Sequence, residues 1–437
     1  MRDFVVLELE RQAGGNARCG ENEVSAYPWA AHYVPVPDER ATLVRELFEE
    51  LGVLRNGVWE ERYLCFTPQE RLFLHGEWHA GIEPRFALDR RGREDFRRFE
   101  DLMQGYRASG RFTIPMQLGV RRDDPLDQLS MAAWLRDHGF TSPALYWYVD
   151  YACRDDYGAL ARDTSAWAGV HYFASRAHDE QGPLTWPEGN GWIAKRLAAK
   201  LAEHIRTRSP VVRIEHARPA RIGVRRGNWR VVTPDTDYLT DMVIFAAPRF
   251  IAPYIVAELE STRSSFTYSP WLTANLTLER WPNERASAGA PPAWDNVIYD
   301  SPALGYVVAT HQSLTSIPSR PERTVWTFYW SFADMLPLDA RRMLAARDWS
   351  YWRDRILADL ERVHPDIREC VSRIDVMRHG HAMIRPTVGF LTSAERTTRV
   401  SLPGFAFANS DESGLSLFEE AQYRGVTAAR AALRLLS

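Results

Sequence analysis

The stretch VVLELERQAGGNARCG (5–20) reads as a buried strand that ends on an acid, Glu8, and runs into a double glycine, Gly14-Gly15. An acid at the end of such a strand can accept hydrogen bonds from both hydroxyls of an adenosine ribose. The two glycines let backbone approach a pyrophosphate or a ring system where a Cβ would clash. A second pattern, GNGWIA (189–194), fits G-x-G-x-x-A and opens a helix. That fingerprint holds a phosphate only directly after a buried strand, whereas the polar, proline-broken HDEQGPLTWPE stands before it. A structural turn is the expectation there; a nicotinamide-dependent enzyme using Gly189 and Gly191 is the alternative.

Other chemistry-bearing residues are sparse. His75 and His79 lie four apart, but Gly76 and the alternating flanks predict a hairpin and surface histidines rather than a metal pair on a helix. His379 and His381 sit two apart on an expected strand and share a face. Arg385, just beyond, has the chemistry to take a substrate carboxylate. Only Lys195 and Lys200 are lysines among the 54 basic residues, so a mechanism that needs a catalytic amine has two candidates. Cys19, Cys65, Cys153 and Cys370 are scattered singly, which predicts reduced, buried thiols and no metal site.

These residues need elements to position them. Apolar spacing predicts helices over 39–54, 93–109, DQLSMAAWLRDHGF and PALYWYVDYACRDDYGALA, a helix ending near Arg206, and another over 348–363. RLFLHGEWHAGI (71–82) predicts a hairpin, and 210–217 and 221–234 predict strands. DMVIFAAPRF is apolar on both faces, as in a parallel sheet. WLTANLTL, NVIYD, GYVVATHQ and TVWTFYWSF alternate and suit an antiparallel sheet, with a further strand near 373–384. A strand, a polar loop and a helix close the chain. The fold class is therefore α/β, with parallel-type strands at both ends and the centre interleaved with an antiparallel and helical block.

VVLELERQAGGNA resembles the second-strand signature of the flavin-containing amine oxidoreductases, the superfamily of monoamine oxidases, protoporphyrinogen oxidases and phytoene desaturases. Four more segments follow in that superfamily's order: YPWAAHYVP (27–35), TWPEGNGWIAKRLAAKL, SPVVRIE followed by DMVIFAAP, and FAFANSDESGLSLFEEAQYRGVTAA. The resemblance implies a Rossmann-like FAD-binding domain over 1–40, 185–250 and 390–437, and a substrate or cap domain over 41–184 and 251–389. It implies cofactor contacts at Glu8, Gly14, Gly15, Asn16 and Arg18, at Ala30 and Ala31 beside the ring, at Val211 beside the adenine, at Asp411 on the stem, and at Phe418 where a helix N-terminus faces the ring. Asn16, Ala30-Ala31 and Asn409 depart from the pattern, at the positions of an arginine, a glycine pair and a glycine. No lysine occupies the strand that WLTANLTLERW resembles; Thr273 stands at that position. The superfamily's first strand, GxGxxG loop and first helix should precede Glu8 by about 30 residues, so the expectation is an N-terminally truncated product.

The implied function is an FAD-dependent oxidoreductase, amine oxidase- or desaturase-like, that takes a hydride equivalent from a partly apolar organic substrate. His32, Tyr33 and His381 are its catalytic candidates, and O2 or another electron acceptor its partner. A degenerate flavoprotein-fold binding protein without catalysis is a further alternative. Trp147, Tyr148, Trp167, Tyr172, Trp326, Phe328 and Trp330 are expected either to line the substrate site or to fill the core. The net charge of -3 predicts no pull toward nucleic acid or anionic lipid, and no apolar run reaches membrane-spanning length. The chain as it stands is expected to be cytoplasmic, with a longer N-terminus leaving room for an export signal.

Overall fold

The computed structural model describes residues 3–176, 182–217, 228–260, 265–285, 289–313, 322–393, 396 and 402–436. Its centre is a seven-stranded sheet. The strands that build it are β2 (Glu70–Leu74), β3 (Glu77–Ala80), β9 (Tyr268–Leu278), β10 (Asp295–Ile298), β11 (Gly305–Val308), β12 (Thr324–Ser331) and β13 (Val371–Ile384), in the spatial order β13-β9-β12-β11-β10-β2-β3. The expected 71–82 hairpin is there, turning through His75 and Gly76 at positive φ. It joins the antiparallel block through a parallel pair, β2 with β10, so the sheet is mixed rather than antiparallel throughout. The crossover between those strands is long enough to carry a helical layer, which is what a parallel join requires.

Every residue of β9 and β12 is buried, so both faces of the sheet are covered. One face carries Leu272, Leu276, Trp326, Phe328 and Trp330. It packs on α7 (Pro337–Ala346) and α8 (Trp349–Leu360) through Leu344, Trp352 and Ile356. The other carries Leu72, Val297, Trp271 and Tyr329 and looks onto α4 (Pro143–Tyr157). A separate helical core holds α2 (Arg90–Ala108), α3 (Met131–Asp137), α4 and α5 (Ala166–Ser175), with Trp134 and Trp167 at its heart.

The parallel-type strands form two pairs: β1 (Val6–Leu7) with β4 (Ile205–Arg206), and β8 (Val243–Phe245) with β14 (Phe405–Phe407). The helix expected to run to Arg206 is α6 (Gly191–Lys200); Ile205 and Arg206 instead extend because they pair with Val6 and Leu7. Leu7, Val243, Phe245 and Phe407 share one core cluster with Ile214, Trp229 and Val231 of an antiparallel layer made of β5 (Arg213–His216), β6 (Trp229–Val232) and β7 (Asp237–Thr240). Residues 221–227 of the expected 221–234 strand lie outside the described residues. Among the described residues β1 and β8 each keep one edge without a partner strand, and Val5, Val6 and Ile244 remain about one-third exposed. The remaining expected helices are α1 (Thr42–Glu50) and the terminal α9 (Phe418–Leu436).

Candidate functional site: an aromatic chamber beside the presumed ring site

Two of the three catalytic candidates meet in a recessed chamber on the α4 side of the sheet. His32 stacks on Tyr329 with ring centroids 4.6 Å apart and lies 5.5 Å from Trp294. Its Nδ1 is 3.2 Å from the Ala30 carbonyl, so Nδ1–H donates there and Nε2 is left as an acceptor. Burial pulls the imidazole down to about 4, which keeps it neutral at pH 7. Tyr33 packs edge-on to Trp294, and burial holds its phenol well above the ordinary range. His381 does not join them. It stacks on Phe250 at 4.3 Å and sits beside Tyr268, toward the end of β13.

The chamber also holds three carboxylates that motif reasoning passed over. Glu70 and Asp295 are register partners on the parallel strands β2 and β10, which places their side chains about 5 Å apart on one face. Asp155 comes from α4, one turn beyond Tyr151 and two beyond Tyr148, so all three share a helical face. Desolvation, then their mutual repulsion, pushes Asp295 well up, while burial carries Glu70 and Asp155 to about 7. The signals were present but quiet: a glutamate in QERLFL, and an aspartate four residues past Tyr151 on an aromatic helix.

Of the residues the resemblance named, Gly15, Asn16, Arg18 and Ala31 are joined by hydrogen bonds. Ala31 N–H donates to the Asn16 carbonyl at 3.1 Å, and Asn16 Nδ2 donates to the Ala382 carbonyl at 2.7 Å. Arg18 turns back to Gly15 O and pairs with Glu10 at 3.3 Å. Ala30 is tied to His32, as above. Among the described residues the Glu8 carboxylate accepts only the Glu10 backbone N–H, at 2.8 Å, at the end of β1. Asp411 is buried, and its Oδ2 accepts from Arg249 N–H and Tyr268 O–H, both at 2.8 Å. Asn409 holds that turn through its own side chain, donating to the Ala246 carbonyl. Val211 packs partly buried against the β5–β7 layer, apart from the ring cluster. Phe418 opens α9 with its ring stacked on Phe48, so only its backbone is placed to face a ligand. The next two residues, Glu419 and Glu420, are buried acids in the first turn of α9, where the helix dipole favours negative charge.

Several other expectations resolve simply. A Cβ at Gly189 (φ +56°) would meet Ala31 O and His32 Cα at 2.7 Å, and one at Gly191 would meet Cys19 at 2.5 Å. Gly189 admits neighbouring backbone and Gly191 the Cys19 side chain, and the strand before them, Leu184–Thr185, pairs antiparallel with Tyr33–Val34. GNGWIA is therefore a packing turn, which removes the basis of the nicotinamide alternative. Lys195 and Lys200 pair with Glu21 and Glu50 at the surface. Thr273 Oγ1 donates to the Trp29 carbonyl at 2.6 Å, and His379 Nε2 lies 3.2 Å from the same oxygen. Arg385 is engaged by Asp163. The four cysteines are free and buried. Trp326, Phe328, Trp330 and Trp167 are core; Trp147 reaches the chamber side, stacked on Tyr299 and packed beside Trp271 and Tyr329. No helix among the described residues is long and apolar enough to cross a membrane.

The residues fit the ring-bearing part of an FAD. Gly15 (φ +54°) faces open space, and Asn190 Oδ1 and Glu419 Oε2 are buried without a hydrogen-bond partner among the described residues.

No protein-family model matches the chain, and no curated protein matches it. Solved structures do. A putrescine oxidase bound to putrescine superposes with a TM-score of 0.70 at 16% identity, covering 98% of this chain and 93% of that one. Cyclohexylamine oxidase from Brevibacterium oxydans gives 0.67 at 13% identity, covering 99% and 93%. A putative protoporphyrinogen oxidase from Exiguobacterium gives 0.64 at 16%, covering 98% and 93%. At such identities the likeness is one of fold: this chain has the α/β fold of those oxidases over nearly its whole length.

Proposed function

We propose that the protein is an FAD-dependent oxidoreductase that takes a hydride equivalent from an organic substrate and passes it to O2 or another acceptor. The observation that carries this reading is the joining of Asn16, Ala31 and Ala382 by hydrogen bonds at the mouth of the chamber that holds His32. The fold shared with two amine oxidases and a putative protoporphyrinogen oxidase supports it. The flavin, when bound, supplies the hydride-accepting chemistry. The chain's own part is to hold the ring edge between Asn16 and α9, to exclude water with Trp294 and Tyr329, and to offer neutral His32 as a proton acceptor. In this reading 1–40, 185–250 and 390–437 carry the cofactor, while 41–184 and 251–389 carry the substrate.

The test is to purify the chain and titrate it with FAD. Flavin absorbance and an FAD-dependent rise in melting temperature are expected. Absence of both overturns the reading. Flavin binding without turnover of any amine, alcohol or alkene donor would favour a binding protein instead.

A further inference from the structure

α2 carries Phe96, Phe99, Glu100, Met103, Gln104 and Arg107 at the i, i+3, i+4 spacing of one helical face. That face forms one side of a groove, and Glu83, Arg85, Tyr148 of α4 and Phe173 of α5 complete its lining. The groove spans about 430 Å³ including its open mouth, the size of a small-ligand pocket. Its floor is apolar: Phe96, Phe99, Met103, Phe173 and Tyr148 are each at most 8% exposed. Phe99 and Phe173 meet edge to face with centroids 4.9 Å apart, which offers a flat wall to a ring or a short chain.

The charges of the groove are not all spent. Arg85 pairs with both Glu83 and Glu100 and so neutralises one end. Arg107, at the other end, forms no ion pair among the described residues. Its Nη2 donates to the Phe173 carbonyl at 2.7 Å, which fixes the guanidinium in place. Its Nε is buried without a hydrogen-bond partner, and its Nη1 donates to none of the described residues. Burial pulls this guanidinium below the ordinary arginine range, and no carboxylate offsets the shift. A half-buried cation that lacks an acceptor costs free energy, and a bound anion recovers it through a charge-assisted hydrogen bond.

We propose that this groove is an accessory binding site for a small monocarboxylate with an aromatic or short aliphatic body. The carboxylate accepts from Arg107 Nη1, and the body lies on Phe99, Met103 and Phe173. A single negative charge suits the groove, because Glu83 and Glu100 at its far end repel a dianion. A cation is disfavoured there, since Arg85 already occupies both acids. Neither His32 nor any residue of the Asn16–Ala31–Ala382 edge belongs to the lining, so the site does not depend on the oxidoreductase reading.

The experiment is isothermal titration calorimetry on the full chain, using 3-phenylpropionate against 3-phenylpropanol, 3-phenylpropylamine and acetate. The aromatic carboxylate is expected to bind, and the alcohol, the amine and acetate to bind at least tenfold more weakly. Arg107→Gln should weaken 3-phenylpropionate tenfold or more, and Arg107→Lys, which keeps the charge, only severalfold. Gln104→Trp, an exposed rim position, should fill the groove and weaken binding tenfold or more. Circular dichroism melting checks that each variant folds; where Arg107→Gln does not, the Gln104→Trp result decides. No binding of 3-phenylpropionate, an alcohol or amine that binds as tightly, or variants that bind it like wild type each overturn the proposal.

Discussion

Glu70 and Arg71 are neighbours on one strand and live on opposite faces of one sheet. Arg71 is fully buried and fully employed. It pairs with Glu284, bonds Asn296 and the Tyr306 hydroxyl, and lies 3.8 Å over the ring of Trp78. Glu70, one residue earlier, faces the chamber with no such partner among the described residues, and burial lifts its carboxyl to about 7. On the helix-covered face the buried guanidinium is matched by acceptors, as a structural core requires. On the chamber face burial instead favours the protonated acid.

That contrast can be broken or sharpened by measurement. The largest effect is expected from Arg71→Met, which removes the buried guanidinium that Glu284, Asn296 and Tyr306 share. A loss of about 3–5 kcal/mol in denaturant unfolding is expected. Next comes Gly189→Ala. The new Cβ has no room against Ala31 and His32, so a loss of about 1–3 kcal/mol in stability is expected together with weakened FAD-dependent thermal shift and no nicotinamide effect.

The pH dependence of Glu70 is smaller and has a definite sign. Its folded pKa is raised from 4.5 to about 7, so the folded state binds the proton more strongly than the unfolded one. Stability from this group is therefore full below about 4.5 and lost as pH rises toward 7. Glu70→Gln should flatten the fall in unfolding free energy across that window and leave the variant about 1 kcal/mol more stable than wild type at pH 8. A variant with an unchanged slope would mean that Glu70 is not desolvated. The smallest effect is expected at Glu8, whose carboxylate touches only a neighbouring backbone N–H. Glu8→Gln should leave the melting temperature within a degree or so, while weakening FAD about tenfold, equivalent to about 1.4 kcal/mol.

The turns that carry the residues named for a cofactor come from local patterns. Glycine pairs, a strand-ending acid, and a helix behind a polar loop each have a physical reason to occur where they do. Asn16, Ala31 and Asp411 were placed by those patterns, and the structure ties them into bonded turns. His381 packs on Phe250 and Tyr268 rather than with His32 and Tyr33, because a two-residue spacing says which face a side chain takes but not what it meets there. GNGWIA matched a fingerprint whose glycines admit the Ala31–His32 backbone and the Cys19 side chain, a need that looks the same in sequence as the need to admit phosphate.

The sequence alone determined the class of fold, the order of its elements, the absence of a lysine from β9, and which glycines would be needed. These follow from local periodicity and from residue types, which act over a few positions. Only the tertiary structure decided that Glu70, Asp155 and Asp295 share one chamber. Their separation along the chain is 85 residues from Glu70 to Asp155 and 140 from Asp155 to Asp295, and nothing local marks any of the three. A parallel register and one helical face bring them together. Whether a buried acid is paired or left waiting depends on which arginines the fold happens to carry past it.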